Sequence, residues 1–146
     1  MSVPWVSVTP AEAAAHPKGR PGLVIYAIAL WLAVSGAFDV LALFGPVGSL
    51  WFLVFGGLSL VAALGLVLGA PWALVLSVLM CGRYLVASIA ELRIFMFVDA
   101  VEEQGLALLI LAQGIVAVAA AFHLLEGDRP NLIFRHRYRA YSEADE

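Results

Sequence analysis

Few side chains in this sequence could do chemistry, and the most unusual ones sit where chemistry is costly. The stretch from Pro71 to Phe97 is long and apolar enough to cross a bilayer, yet it contains Arg83, Glu91 and Arg93. A charge at the middle of a membrane helix costs at least ~2.5–3.5 kcal/mol on insertion scales, so it faces protein or water and has a partner. Asp39 and Gln113, in two other apolar stretches, are the candidate partners for Arg83. At ~1.5 Å rise per residue, Arg83 lies roughly 18 Å, Asp39 roughly 24 Å and Gln113 roughly 17 Å from the same membrane face, which puts the three in one layer or in adjacent turns. Tyr84, Ser88 and Glu91 follow one stripe of the same span at i, i+4 and i+7 and widen the polar face that Arg83 begins. Ser35 and Ser88 are available to satisfy leftover donors and acceptors.

Two kinds of chemistry fit such a cluster. One is a relay or gate for protons or ions, the common meaning of intramembrane acids. The other is a static polar clamp that fixes helix register and subunit contacts. Arginine does not lose its proton, and an acid beside it has its pKa lowered, so neither member is suited to carry protons near neutral pH. The clamp is the expected role. Arg93, Glu102 and Glu103, with Asp99, form an outer rim held by water.

Other signals are weaker. His123 lies in a span but has no second intramembrane histidine at matching depth, so it reads as an interfacial residue rather than a haem ligand. The single cysteine, Cys81, excludes an intrachain disulfide or a cysteine metal cluster. No phosphate loop or nucleotide fingerprint is present, and no nucleophile stands with a base at one depth. No cofactor, no metal and no enzymatic activity are expected.

The elements that must hold these residues follow from composition. Of the 146 residues, 63% are hydrophobic and only 13% charged, and the mean hydropathy is +0.97. A soluble domain carries about a quarter charged residues. Here the apolar residues fall in four blocks near the ~20 residues that cross a hydrocarbon core. The expected fold is therefore an all-α integral membrane protein, a four-transmembrane-helix bundle with spans at about 22–44, 50–68, 71–97 and 105–125. Tails at 1–21 and 126–146 complete the chain. The first apolar run is too long for the core of a signal peptide and is expected to remain as the first span.

In the second span Gly56, Ser59 and Ala63 form a small-residue stripe, and Gly65 and Gly69 a G-x-x-x-G, both suited to close helix packing. Packing within the chain is expected ahead of dimerisation. Gly114, Ala117 and Ala121 make a similar stripe in the fourth span. The link Gly69-Ala70-Pro71-Trp72 is so short that spans two and three must be antiparallel neighbours, with Trp72 at headgroup depth. Thr9, Pro10 and Glu12 carry the signature of a brief helix start, but the N-terminal tail is expected to be mostly loose.

Lys18 and Arg20 precede span one and Arg129, Arg135, Arg137 and Arg139 follow span four, so the positive-inside rule places both termini in the cytoplasm and the protein in the cell (inner) membrane. Arg135, Arg137 and Arg139 form a compact basic patch read first as a topology signal, with anionic lipids or a protein partner as further uses. The patch is short and followed by acids, so nucleic acid is not an expected partner. The expected function is that of a small non-catalytic structural or accessory subunit of a membrane complex, in contact with membrane lipids and with copies of itself or other subunits. A small oligomeric transporter or channel using the same polar residues is the alternative. An intramembrane enzyme acting on a lipid or quinone is third.

Overall fold

A computed structural model describes residues 5–46, 48–97 and 104–139, the side chains of 94–97, 104 and 138–139 apart. Its elements run in the order β1 (Trp5–Ser7), α1 (Pro10–Ala15), α2 (Leu23–Ala42), α3 (Leu50–Leu68), α4 (Pro71–Phe97), α5 (Gln104–Glu126), α6 (Asp128–Arg135) and β2 (Arg137–Arg139). Four of them, α2 to α5, are long and apolar enough to span a membrane. Their outward faces carry large apolar side chains such as Phe44 and Phe122, which are 82% and 69% exposed. No polar face separates these residues from the surroundings, so the bundle has a surface made for hydrocarbon rather than water.

Small residues set how the helices approach. Where α2 crosses α3, a Cβ added to Gly56 would stand 2.6 Å from the carbonyl oxygen of Gly36, and one added to Gly36 would stand 2.8 Å from that of Gly56. Backbone therefore meets backbone, as expected for membrane helices that associate by close packing. The stripe of Gly56, Ser59 and Ala63 is spent inside the chain. The two glycines at the end of α3 do different jobs from the one their spacing suggests. Gly65 leaves the space that Trp72 and Ala73 of α4 fill. Gly69 has φ +69°, a left-handed conformation that glycine adopts without a Cβ penalty. It ends α3 in a Schellman turn, with the Ala70 N–H donating to the Gly65 carbonyl at 2.9 Å and the Gly69 N–H to that of Leu66 at 3.2 Å. Pro71 then opens α4 at once, and spans two and three are forced into antiparallel contact.

The bundle is a folded ribbon of helices rather than a closed ring. α2 packs on α3, α3 on α4 and α4 on α5, where Ser88 lies over Gly114. Between α2 and α5 a groove remains, lined by Ala27, Ile28, Trp31, Val116 and Ala120 among others. One apolar core joins all four spans, from Ile25 and Leu32 through Leu66 and Leu74 to Leu124, and continues into Phe134 of α6.

The two tails are less loose than their composition suggests. Thr9 caps α1 in a reciprocal box: its hydroxyl oxygen accepts from the Glu12 N–H at 3.3 Å, while its own N–H donates to the Glu12 carboxylate at 2.8 Å. β1 pairs antiparallel with β2, Trp5 opposite Arg139 and Ser7 opposite Arg137, which brings both tails to one end of the bundle. The C-terminal tail forms α6, which no spacing in the sequence had indicated. Asn131, fully buried, explains it. Its amide nitrogen donates to the carbonyls of Leu125 at 2.9 Å and Gly127 at 2.8 Å, tying α6 to the end of α5. Its oxygen accepts from Arg135 at 3.2 Å and Arg137 at 2.9 Å. Arg137 also lies 4.7 Å above the Trp5 ring. Two members of the expected basic patch are thus used to hold the tails together; the side chain of the third, Arg139, lies outside the described residues. Asp99, Glu102 and Glu103 of the expected outer rim also lie outside them.

Two outcomes follow. Gly56→Leu, which must push α2 and α3 apart, is expected to lower stability in detergent by about 1–3 kcal/mol, read by thermal unfolding. The Glu12 carboxyl is held below its ordinary value, first by the Thr9 N–H and then by the Thr9 hydroxyl. Its capping bond is then fully present above the ordinary carboxyl range and lost as pH falls through the lowered value. Exchange of the Thr9 amide hydrogen, corrected for intrinsic rate, should accelerate across that acidic window and not between pH 6 and pH 8, taking an ordinary glutamate pKa of about 4.3.

Candidate functional site

The site starts from Asp39, which lies in the last turn of α2. A carboxylate there faces the negative end of the helix dipole, so the helix itself does not stabilise it. The counter-charge comes from α4. Arg83 donates from Nη1 to Asp39 Oδ2 at 2.6 Å and from Nη2 to Oδ1 at 3.4 Å, a two-pronged ion pair between helices that are not sequence neighbours. The side chains are 21% and 15% exposed, so the pair is largely but not wholly covered.

The next residue of α4 completes the arrangement. The Tyr84 hydroxyl donates to Asp39 Oδ2 at 3.0 Å. Tyr84 Oη also stands 3.0 Å from Ser59 Oγ of α3. A phenol has one proton, and here the carboxylate takes it, so the serine must donate to the tyrosine oxygen. A chain of hydroxyls thus runs from α3 through α4 to α2 and ends on the carboxylate. Both hydroxyl-bearing residues are buried, Tyr84 at 1% and Ser59 at 0% exposure.

Aromatic rings cover what the carboxylate leaves. The Arg83 guanidinium carbon lies 4.6 Å from the Tyr84 ring centre and 5.3 Å from that of Phe55. A ring face attracts a cation more strongly as water is excluded. Trp31 of α2 meets Tyr84 edge-on, with centroids 5.3 Å apart, and so fixes the tyrosine ring. Three helices meet at one point, each contributing a polar and an aromatic residue: Asp39 and Trp31, Ser59 and Phe55, Arg83 and Tyr84.

The residues singled out from the sequence divide accordingly. Asp39, Arg83 and Tyr84 come together. Gln113 does not join them: it is on α5, and its side chain makes no hydrogen bond among the described residues. Ser88 turns to Gly114 of α5, and its hydroxyl is buried without a partner. Ser35, offered as an auxiliary partner, makes no hydrogen bond to the pair. Glu91 and Arg93 are exposed, near the far end of a 27-residue helix that at ~1.5 Å per residue outruns a ~30 Å hydrocarbon core. They are therefore not part of the buried layer. Glu91 shares a stripe with Tyr84 and is separated from the pair by depth, about two turns further along α4, whereas depth alone does not say which face Ser88 or Gln113 takes. Ser59, Phe55 and Trp31 were missed as site residues. Ser59 had a usable signal, as the one hydroxyl in the middle of a span with no ionisable residue, but it read as a small packing residue. Among the described residues no three His, Cys, Asp or Glu side chains stand close enough to hold a metal ion.

A mutational cycle separates the pair from its surroundings. Asp39→Asn, which leaves the guanidinium unanswered, is expected to cost about 3 kcal/mol of stability in detergent or bicelles. Tyr84→Phe, which removes one hydrogen bond, should cost only about 0.6–1.7 kcal/mol. The double change Asp39→Leu with Arg83→Met should fall within about 1 kcal/mol of the native protein, because no charge is left to bury. Additive losses in the cycle would show that the two residues act separately.

Compared with protein-family models, with curated proteins and with solved structures, the chain matches none.

Proposed function

We propose that this chain is a small non-catalytic membrane protein, a structural or accessory subunit that assembles with copies of itself or with other membrane proteins. On this reading the Asp39–Arg83 pair is a clamp that fixes the register of α2, α3 and α4. The observation that carries it is the closure of the pair on itself. Asp39 takes the guanidinium and the Tyr84 hydroxyl, Ser59 occupies the tyrosine oxygen, and two aromatic rings cover the cation. A relay needs an acid that can take up and release protons, and a continuous polar path to both faces. Here the acid is held by a permanent cation, while Gln113 and Glu91 stand apart from it.

Two features of the surface support assembly. A groove of about 400 Å³ lies between α4 and α5, lined almost wholly by apolar side chains such as Leu85, Ile89, Leu111 and Val118. The parts outside the spans are small and hold each other, which leaves the spans as the main surface for partners. The protein sits, on this reading, in the cell membrane with both termini in the cytoplasm, where Lys18, Arg20 and the C-terminal arginines would stay.

Gentle solubilisation from native membranes followed by native mass spectrometry tests the proposal. The expected result is a complex of fixed stoichiometry that Asp39→Asn dissociates or weakens. If Asp39→Asn left assembly and thermal stability unchanged while abolishing an ion or proton flux in proteoliposomes, the subunit reading would give way to a transporter.

A further inference from the structure

We infer that the α2–α5 side of the bundle holds one anionic phospholipid, its phosphate at the mouth formed by Arg129 and the start of α2 and one acyl chain in the groove below. Two cavities adjoin there. A mouth of about 240 Å³ is lined by Gly22 to Ile25, His123 and Arg129. It shares Val24 and His123 with a groove of about 220 Å³ that runs between the helices over Ala27, Ile28, Trp31, Val116 and Ala120. A polar, basic opening at the end of a span, leading into an apolar channel along it, has the division of chemistry that a phospholipid has.

The mouth is suited to a phosphate in three ways. Arg129 brings a permanent positive charge that can bond phosphate oxygens in two places. Among the described residues its Nη1 donates one hydrogen bond, to the Arg20 carbonyl oxygen at a long 3.4 Å. Its seat is over Gly22, where an added Cβ would stand 2.6 Å from Nη1, so the bare glycine is what lets the guanidinium lie across the helix start. α2 begins at Gly22 with no side-chain cap, leaving its first N–H groups without a side-chain acceptor. Such groups together with the helix dipole favour an anion. The His123 side chain makes no hydrogen bond among the described residues and adds a ring N–H to the same opening.

Charge at this end favours an anionic lipid over a zwitterionic one. Lys18, Arg20, Arg129, Arg135 and Arg137 are here, against Glu12, Glu126 and Asp128 among the described residues. Arg135 and Arg137 are engaged with Asn131, which leaves Arg129 as the cation that lines the opening. Ala27 and Trp31 of α2 and Ala119 and Ala120 of α5 line the groove, and Trp31 also packs on Tyr84. A chain lying in it would rest against the wall behind the ion pair. The inference is independent of the subunit proposal, since it needs neither a protein partner nor the clamp.

The test uses the full chain in nanodiscs made from equal amounts of phosphatidylglycerol and phosphatidylcholine, released into the gas phase for native mass spectrometry. The native chain should retain one phosphatidylglycerol in preference to phosphatidylcholine by about fivefold or more, the effect of one basic group near a membrane surface. Arg129→Gln should remove that preference. Ala27→Phe, which fills the groove and leaves the charge unchanged, should lower retention of both lipids. Lys18→Gln, an equal loss of charge at the same end outside the cavities, should leave the preference intact. If Arg129→Gln does not fold, as judged by helical circular dichroism and elution volume, Gly22→Ala carries the same expectation because its methyl group displaces the guanidinium. Equal retention of the two lipids by the native chain overturns the inference. So does an equal loss in Lys18→Gln and Arg129→Gln, which would mean a diffuse charge effect. A dimer that Ala27→Phe abolishes while lipid retention stays unchanged overturns it too, by assigning the groove to a second copy.

Discussion

A guanidinium cannot be left alone in hydrocarbon, and the structure is arranged around that constraint. Arg83 stands near the middle of α4 with only 21% of its side chain exposed. Its answer is one carboxylate on α2, positioned where the helix dipole works against it, so each charge needs the other. The remaining groups are neutral and come from close by: a phenol, a serine hydroxyl and two aromatic faces. Replacing any neutral member removes a hydrogen bond or a ring contact. Replacing one charge strands the other.

The ion pair also explains features of the helix packing that small residues alone do not. Close approach of α2 and α3 at Gly36 and Gly56 brings Ser59 beneath the Tyr84 hydroxyl and sets Asp39 within reach of α4. The Schellman turn at Gly69 does the same for α4, because a link of this length leaves it little freedom beside α3. Packing by small residues and pairing of charges thus act in one direction. On the proposed clamp reading, the first permits many rotations and the second selects one.

The two tails solve a different problem. Short polar segments outside a membrane bury little apolar surface and have few means of holding a shape. Here they are tied by a buried asparagine whose four polar bonds join the end of α5, the body of α6 and the strand β2. Arginines that look like a solvated patch in the sequence are partly structural for that reason. The basic side chain that lines the opening between α2 and α5 is Arg129, placed by a glycine it lies across.

Length and hydropathy were enough to indicate four helices long and apolar enough to span a membrane, because crossing hydrocarbon admits few alternatives to an apolar helix of set length. The pairing of Asp39 with Arg83 was legible for a related reason: a buried charge demands a partner at its own depth, and few candidates existed. What the sequence by itself did not determine was rotation and long-range contact. Ser88 has suitable depth but faces Gly114 of α5, Gln113 makes no hydrogen bond to the pair, and Ser59, Phe55 and Trp31 enter the site only because three helix axes bring them to one point. The tails show the same limit, since a strand pair joining residues 5–7 to 137–139 and an asparagine that gathers two arginines depend on contacts no local pattern encodes. Depth is a one-dimensional property that a linear chain can carry, whereas which faces meet is decided only when the helices pack.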